Sequence, residues 1–511
     1  MQFTVVALCA KHTERRHHRH KTNKTRLWSQ SIGQNEYSEE INCAPFPSFL
    51  KIEFHNTYWQ TLRSSNGTYH MYGAYLDTRV MTYQGVNAKR NKSSFAPSVR
   101  IITVLNRFRP NVTIFCQLRF AEQAESVIVR TLPYLYMWRN KWGRHGNGTW
   151  QPYLITCVLP SVVRGLVPAS VSLVERPCDR ATNNLSVYYD APLQRHRHEF
   201  AVCVKELDFL HKDKSVRLVE WIELVRLLGA HKIFIYKLRV HRNISMVLKY
   251  YEYLDVVSVI PTTRPDHTGP KDKPVQLIAY NDCLYRNMYL YQWLVLLDID
   301  EVIIPLRDKN WSSLMRRVLP LSTPAPGKRR RSSYYASNLL FLDSLQQNHS
   351  WQDAVPCYMH MLQHVYRTRE FTKRTHYVKA FHETDRVLTL HNHFPVNCLG
   401  ERCSSYPLPT KLARLQHYRA ECFKPLSQIC KKLIKQPVRD RTLWRWRDPL
   451  VMRTNKALRA LIHGNIIYNN TTCIMTTHRP APIRMSSRLL RLRRKPTQTP
   501  NMLVSNYLIS A

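Results

Sequence analysis

The sequence predicts an α/β protein whose mixed, mostly parallel sheet is sandwiched by helices, with a β-rich accessory region ahead of it. Two observations carry this expectation. Between Phe200 and Leu297, apolar runs of strand length alternate with segments of helical spacing. Between about 41 and 190, short apolar runs recur between turn signals without a helical period. The chain, 511 residues and 60.4 kDa, has room for both regions and for substantial cores. Its 44% hydrophobic content, with 28 tyrosines and 11 tryptophans, marks it as globular rather than disordered.

Taken in order, residues 1–40 are basic, histidine-rich and aperiodic, and read as a disordered tail or stem. The accessory region, 41–190, holds Tyr69–Leu76, Val99–Leu105, Val112–Leu118, Ser126–Val129 and Tyr153–Leu159, with Asn-Gly turn signals at 66–67 and 147–148. No chemistry concentrates there. The α/β region, 195–480, opens with a strand at Phe200–Val204. A helix follows at 215–228, with Val219, Ile222, Val225 and Leu228 on one face and Gly229 as its stop. Lys232–Tyr236 is again strand-like, Asn243 can cap a helix through Leu254, and Val256–Ile260 is the next strand. Pro274 opens a helix to about Tyr289, and Trp293–Leu297 is continuously apolar, as a strand buried on both faces should be. In sheets of this kind ligands bind beyond the carboxyl ends of the strands, which points to Asp298 onward. Residues 322–333 read as a flexible loop, a mixed region follows, and 481–511 form a basic tail.

The net charge of +41, with pI near 10.0, is carried by clusters such as Arg15–Lys21, Lys328–Arg331 and Arg484–Lys495. Such clusters read as solvated loops and tails, with contact to an anionic substrate, lipid headgroup or polyanion as the alternative. Zinc-finger spacing and base-stacking segments are absent, so nucleic acid is not expected as a partner. Eleven N-glycosylation sequons, at Asn23, Asn66, Asn91, Asn111, Asn147, Asn184, Asn243, Asn310, Asn348, Asn469 and Asn470, point to a lumenal or extracellular protein. Thirteen cysteines agree with an oxidising compartment, and Cys398, Cys403, Cys422 and Cys430 are spaced for local disulfide loops, with Cys9 the natural one to leave out. Phe3–Ala10 is too short and weakly apolar for a signal or anchor, and no window approaches the length of a membrane span.

The chemistry concentrates at Asp298-Ile299-Asp300. In an extended chain the two aspartates point to one side, and paired carboxylates repel unless a cation or proton lies between them. A divalent metal that keeps positions open for phosphate oxygens answers that repulsion. Glu301 would point the other way and brace the turn, and Pro305 would end the extended segment. An Asp-x-Asp triplet alone is common in loops; directly after five apolar strand residues it carries weight.

The segments "LVEWIELVRLLGAHKIFIYKLRVHRNISMVLKYYEYLDVVSVIP", "AYNDCLYRNMYLYQWLVLLDIDEVIIP", "VLTLHNHFP" and "ARLQHYRAEC" resemble glycosyltransferase family 92, in its order and spacing and most closely its insect members. The resemblance covers about 200 to 430, and "YGAYLDTR" at 72–79 resembles a segment of the family's N-terminal region. It implies a GT-A-like fold, a UDP-sugar donor, and transfer of galactose from UDP-galactose in β linkage to a glycoprotein glycan, the core fucose of N-glycans. It further implies Asp298 and Asp300 as ligands of a divalent metal, Mn2+, with Asp298 also at the nucleotide-sugar, and a Golgi membrane location. His417 is then either a third metal ligand or a packed histidine. Arg286, beside Asn281 and Asp282 on the helix before the metal strand, either meets a nucleotide phosphate or pairs at the surface. An inverting transfer needs a base, for which Glu383 and Asp385 are the candidates. His391 and His393 read as acceptor-lining or structural, and Trp444 and Trp446 as buried anchors rather than sugar platforms. The competing classes are a secreted or lumenal polyanion- or glycan-binding protein without catalysis and, more distantly, a phosphate-ester metallohydrolase.

Overall fold

The computed structural model describes residues 44–462 apart from 80–95, 122, 124, 140–141, 144–148, 193–195, 266–273, 326–327, 348–351, 373–374, 376, 401 and 423–433. The expected tails, the Asn-Gly pair at 147–148 and Cys430 lie outside the described residues.

The first region is a sheet of ten strands: β1 (Phe54–Asn56), β2 (Trp59–Ser64), β3 (Gly67–Asp77), β4 (Ser98–Leu105), β5 (Phe115–Arg119), β6 (Val127–Arg130), β7 (Leu135–Tyr136), β8 (Gln151–Val158), β9 (Ser170–Val174) and β10 (Leu185–Tyr188). Its neighbours are antiparallel except β10 beside β3. The Asn66-Gly67 pair closes the β2–β3 hairpin, where Gly67 has a φ of 125° that favours glycine. The apolar run expected from Val112 pairs only from Phe115 onward.

Four strands then alternate with helices: β11 (His198–Phe209), α1 (Ser215–Leu227), β12 (Lys232–Val240), α2 (Arg242–Tyr253), β13 (Val257–Pro261), α3 (Leu277–Asn287) and β14 (Tyr291–Leu296). The order β13-β12-β11-β14 is parallel throughout. Beyond β14 the sheet becomes mixed: β19 (Lys379–Glu383) runs antiparallel both to β14 and to β16 (Ser333–Ala336). The architecture is therefore a mixed α/β sheet. A smaller sheet joins β15 (Glu301–Pro305) to β23 (Ala413–Arg419) and β17 (Asn338–Leu342). Between them lie the short elements α5 (Asp343–Gln347), β18 (Tyr366–Arg367), the pair β20 (Val387–Leu390) and β21 (Pro395–Cys398), and β22 (Ser405–Pro407) beside β16. Two boundaries shift for local reasons. Helix α2 is capped by His241, whose side chain accepts the Asn243 N–H, because the Asn243 amide is drawn to Asp213. Pro274 sits in a turn ahead of α3, its carbonyl taking the Leu277 N–H at 3.2 Å.

Alternation along the parallel strands divides the core into two faces. Val202, Val204, Val295 and Leu297 pack with α1, α2 and α4 (Trp311–Leu321). Ala201, Cys203, Leu294 and Leu296 pack with α3, whose other side meets Trp59, Tyr75, Ile102 and Val104 of the ten-stranded sheet. That accessory sheet thus shares one apolar core with the α/β region. A disulfide, Cys203–Cys283, ties α3 to β11 within it. The segment at 72–79 completes the junction. Buried Arg79 pairs with Asp77 at 2.8 Å and donates to the carbonyls of Thr384 and Val387. Burial would raise the Asp77 carboxyl, but Arg79 and Arg100 outweigh it and hold it at about 2. Cys116–Cys157 and the expected local loop Cys398–Cys403 are formed, and Cys178, Cys357 and Cys422 are also disulfide-bonded. Among the described residues no helix is long and apolar enough to cross a membrane.

Candidate active site

The chain leaves β14 at Leu296 and turns through Asp298–Glu301, the Glu301 N–H reaching the Asp298 carbonyl at 3.2 Å. The triplet is thus a turn rather than an extended segment, and strand alternation does not set its side chains. Strand β15 then carries Glu301 directly opposite His417 of β23. The Tyr418 N–H holds the Asp300 carbonyl at 2.7 Å, fixing the turn against β23. Asp298, Asp300 and His417 therefore meet at the carboxyl end of a buried parallel strand, the place where α/β sheets bind ligands.

The two aspartates have different surroundings. Asp298 faces two ammonium groups, Lys205 at 3.1 Å and Lys379 at 3.2 Å. Lys379, 1% exposed, lies 2.7 Å from Glu301 and donates to Asn392 Oδ1 at 2.7 Å, where Tyr280 also donates at 2.9 Å. Burial would raise the Asp298 carboxyl, yet the two lysines outweigh it and hold it well below the usual carboxylate range. Burial would likewise lower the Lys379 pKa, and Asp298 and Glu301 reverse the sign, so it stays charged. Asp300, 38% exposed, has His417 nearest among the ion-pair partners of the described residues, Nε2 to Oδ2 at 3.7 Å.

Glu301 does brace the turn, accepting the Asp298 N–H at 3.2 Å, but its carboxylate turns into the cluster rather than away. His417 Nδ1 lies 3.5 Å from Glu301 Oε2, and both of these histidine distances exceed a hydrogen bond. Burial would lower the His417 pKa, but Glu301 and Asp300 more than offset it, and the net direction is upward. The donor set fits a divalent metal. An exposed carboxylate and an imidazole Nε2 approach each other, while the opposite ring nitrogen, buried and otherwise unpartnered among the described residues, aims at a carboxylate.

Other expected site residues lie elsewhere. In the β14–β19 register Glu383 sits beside Trp293, five residues before Asp298 and so roughly 16 Å from it at the strand rise of about 3.3 Å per residue. It pairs with Arg386, and Asp385, half exposed, pairs with Arg197 at 2.7 Å. The structure does not bring either carboxylate to the cluster. Arg286 pairs with fully buried Asp282 at 2.8 Å and lies over the Tyr188 ring; Asp282 also accepts from Tyr75 and Tyr236. That network joins α3 to the accessory sheet. Arg286→Ala is accordingly expected to cost about 3–5 kcal/mol in urea unfolding, the penalty for stranding a buried charge. A loss of nucleotide affinity without loss of stability would instead place Arg286 at the ligand. Asn281 bonds the backbone of Leu277 and Leu390.

His391 and His393 flank Asn392 beside the cluster. His393 contacts the Val378 carbonyl at 2.7 Å, and His391 lies against Trp138 and Trp142 from the accessory region. The Trp444 and Trp446 indoles donate to the carbonyls of Leu362 and Lys309, as anchors do. The cluster residues missed from sequence are Lys205, Lys379 and Asn392. Lys379 did leave a signal, a charge on the period-two face of the apolar run 378–381.

A turn of carboxylates and an imidazole at the end of a parallel α/β strand defines a ligand-binding, group-transfer class of site. Residues 198–451, most of the α/β region around that turn, match glycosyltransferase family 92, and the chain belongs to that family. The chain is also similar to a beta-1,4-galactosyltransferase of Caenorhabditis elegans, with 28% identity over 170 residues, 30% of this chain. That alignment spans 38% of the relative's length.

Proposed function

We propose that this glycosyltransferase has a GT-A-like layout and moves galactose from UDP-galactose, with inversion, to a glycoprotein glycan, the core fucose of N-glycans by resemblance. The observation that carries the reading is the Asp298–Asp300 turn with His417 Nε2 3.7 Å from Asp300. The relative's name, a beta-1,4-galactosyltransferase, supports the sugar. Asp300 and His417 would hold Mn2+ beside the donor diphosphate, with Asp298 at the edge of that set. Such an ion supplies charge neutralisation for the departing nucleotide. The chain's own residues prepare the site. Lys379 and Glu301 hold Asp298 and His417 in place, and Lys205, partly exposed, presents a cation at the rim. Trp142, partly exposed beside His391 and backed by buried Trp138, is the aromatic offered to an acceptor sugar. The sequons and disulfides support a place in the secretory pathway, the Golgi membrane or lumen.

A panel of UDP-sugars titrated with and without manganese tests the donor. Manganese-dependent binding strongest for UDP-galactose is expected. Equal binding across the panel would remove the donor assignment, and heparin retention without UDP-sugar affinity would favour a polyanion-binding protein.

A further inference from the structure

A second donor cluster lies outside the carboxylate turn. Asp343 directly follows β17, and His360 and His364 frame the short helix α6 (His360–Gln363). One ligand atom from each of the three lies within 4.8 Å of the others. Residues 417 and 418 point to opposite faces of β23. The His360 and His364 rings lie 6.2 and 6.1 Å from the Tyr418 ring, so this cluster belongs to the face away from His417. The segment is firmly placed, because buried Glu220 accepts the N–H groups of Met361 and Leu362 at 3.0 and 3.2 Å.

The hydrogen bonds of His364 constrain its chemistry. Its Nδ1 sits 2.6 Å from the His360 carbonyl, an acceptor, so Nδ1 must carry the proton. In a neutral ring Nε2 is then a bare lone pair, and it faces the Asp343 carboxylate at 2.9 Å. Two electron-rich groups at that distance need a cation, either a second proton on the ring or a metal between them. The third donor decides between them. His360 lies 4.2 Å from His364, ring centre to ring centre, and places a ring nitrogen within 4.8 Å of both other donor atoms. An imidazolium–carboxylate pair has no use for that third nitrogen, and a metal does. A histidine ligand that donates its other N–H to a backbone carbonyl is also the usual orientation at metal sites.

We propose that Asp343, His360 and His364 bind one divalent transition metal of the zinc class. Two imidazoles and one carboxylate form a common zinc donor set, with a fourth position open to water. Arg217 and Lys214 lie close enough for their charge to bear on His360. Affinity must therefore come from direct nitrogen bonding rather than long-range attraction, which disfavours calcium and magnesium. The ion ties the end of β17 to the 360–364 segment and lies behind the strand that fixes the Asp300 turn.

The test is metal content by atomic emission after equilibration of the full chain with zinc and removal of free ion, for wild type, His360→Gln and Asp300→Ala. The expected result is one retained zinc equivalent in wild type and in Asp300→Ala, and its loss in His360→Gln, with zinc raising the unfolding temperature only where it is retained. His360→Gln breaks no hydrogen bond among the described residues, so that variant should fold. Zinc content unchanged in His360→Gln, or no retained zinc in wild type, overturns the proposal. Loss of zinc in Asp300→Ala alone would assign the ion to the carboxylate turn and also overturn it.

Discussion

Lys379→Met is expected to destabilise the protein by about 3–5 kcal/mol, read from the shift in denaturant unfolding, because it removes the one buried cation shared by two carboxylates. Lys379 is 1% exposed and Glu301 2% exposed, and they lie 2.7 Å apart. Without the ammonium, Glu301 keeps its charge in a site that water does not reach. Lys205 still faces Asp298, so the stranded charge is chiefly that of Glu301. The pH dependence follows from the direction of the Glu301 shift. Burial raises its carboxyl above the ordinary value, Lys379 opposing. A carboxyl raised on folding costs stability in full above its folded pKa, and the cost shrinks as pH falls below that value and is gone below the unfolded one. The deficit of Lys379→Met should therefore be largest near neutral pH and shrink on acidification. Adding Glu301→Gln should recover much of it, the sign of direct coupling in a double-mutant cycle. A deficit below about 1 kcal/mol that does not change with pH would show the pair to be solvated and the argument wrong.

The same lysine shows where sequence reading stops. The strands and helices from Phe200 to Leu297 are legible because each holds one period long enough to read, and their parallel order follows from the alternation. The carboxylate turn is legible because it ends the most apolar of those runs. What sequence does not show is how β15 and β23 pair. Residues 301 and 417 meet only because the chain leaves the main sheet after β14 and builds a second one, a pairing more than a hundred residues apart. Lys379 reaches Asp298 in the same way, through an antiparallel strand inserted beside β14. That insertion also sets Glu383, a candidate base from sequence, beside Trp293. Local periodicity carries no information on register between distant strands. The residues missed, Lys205, Lys379 and Asn392, all reach the turn through such long-range pairings or contacts.

Asp300→Ala should leave folding unchanged and lower UDP-sugar turnover by about 10²–10³-fold, the scale seen when one preorganised electrostatic contact to a developing charge is lost. Folding is spared because the side chain is 38% exposed and its ion pair, with His417 at 3.7 Å, is long. The turn itself survives, since its hydrogen bonds come from the backbone of Asp300 and Tyr418 and from Glu301. Asp298→Ala should behave differently. It removes the carboxylate that meets both Lys205 and Lys379, so stability falls along with activity. The contrast separates two roles that the triplet alone presents as equal. Asp298 is paired with two ammonium groups, whereas Asp300 is the carboxylate to which the proposed function gives the incoming cation. Asp300→Asn keeps the shape and removes the charge, and it should match the alanine variant in turnover. Turnover of Asp300→Ala within about threefold of wild type, with UDP release as the measurement, would remove Asp300 from the reaction and with it the metal-ligand role proposed for it.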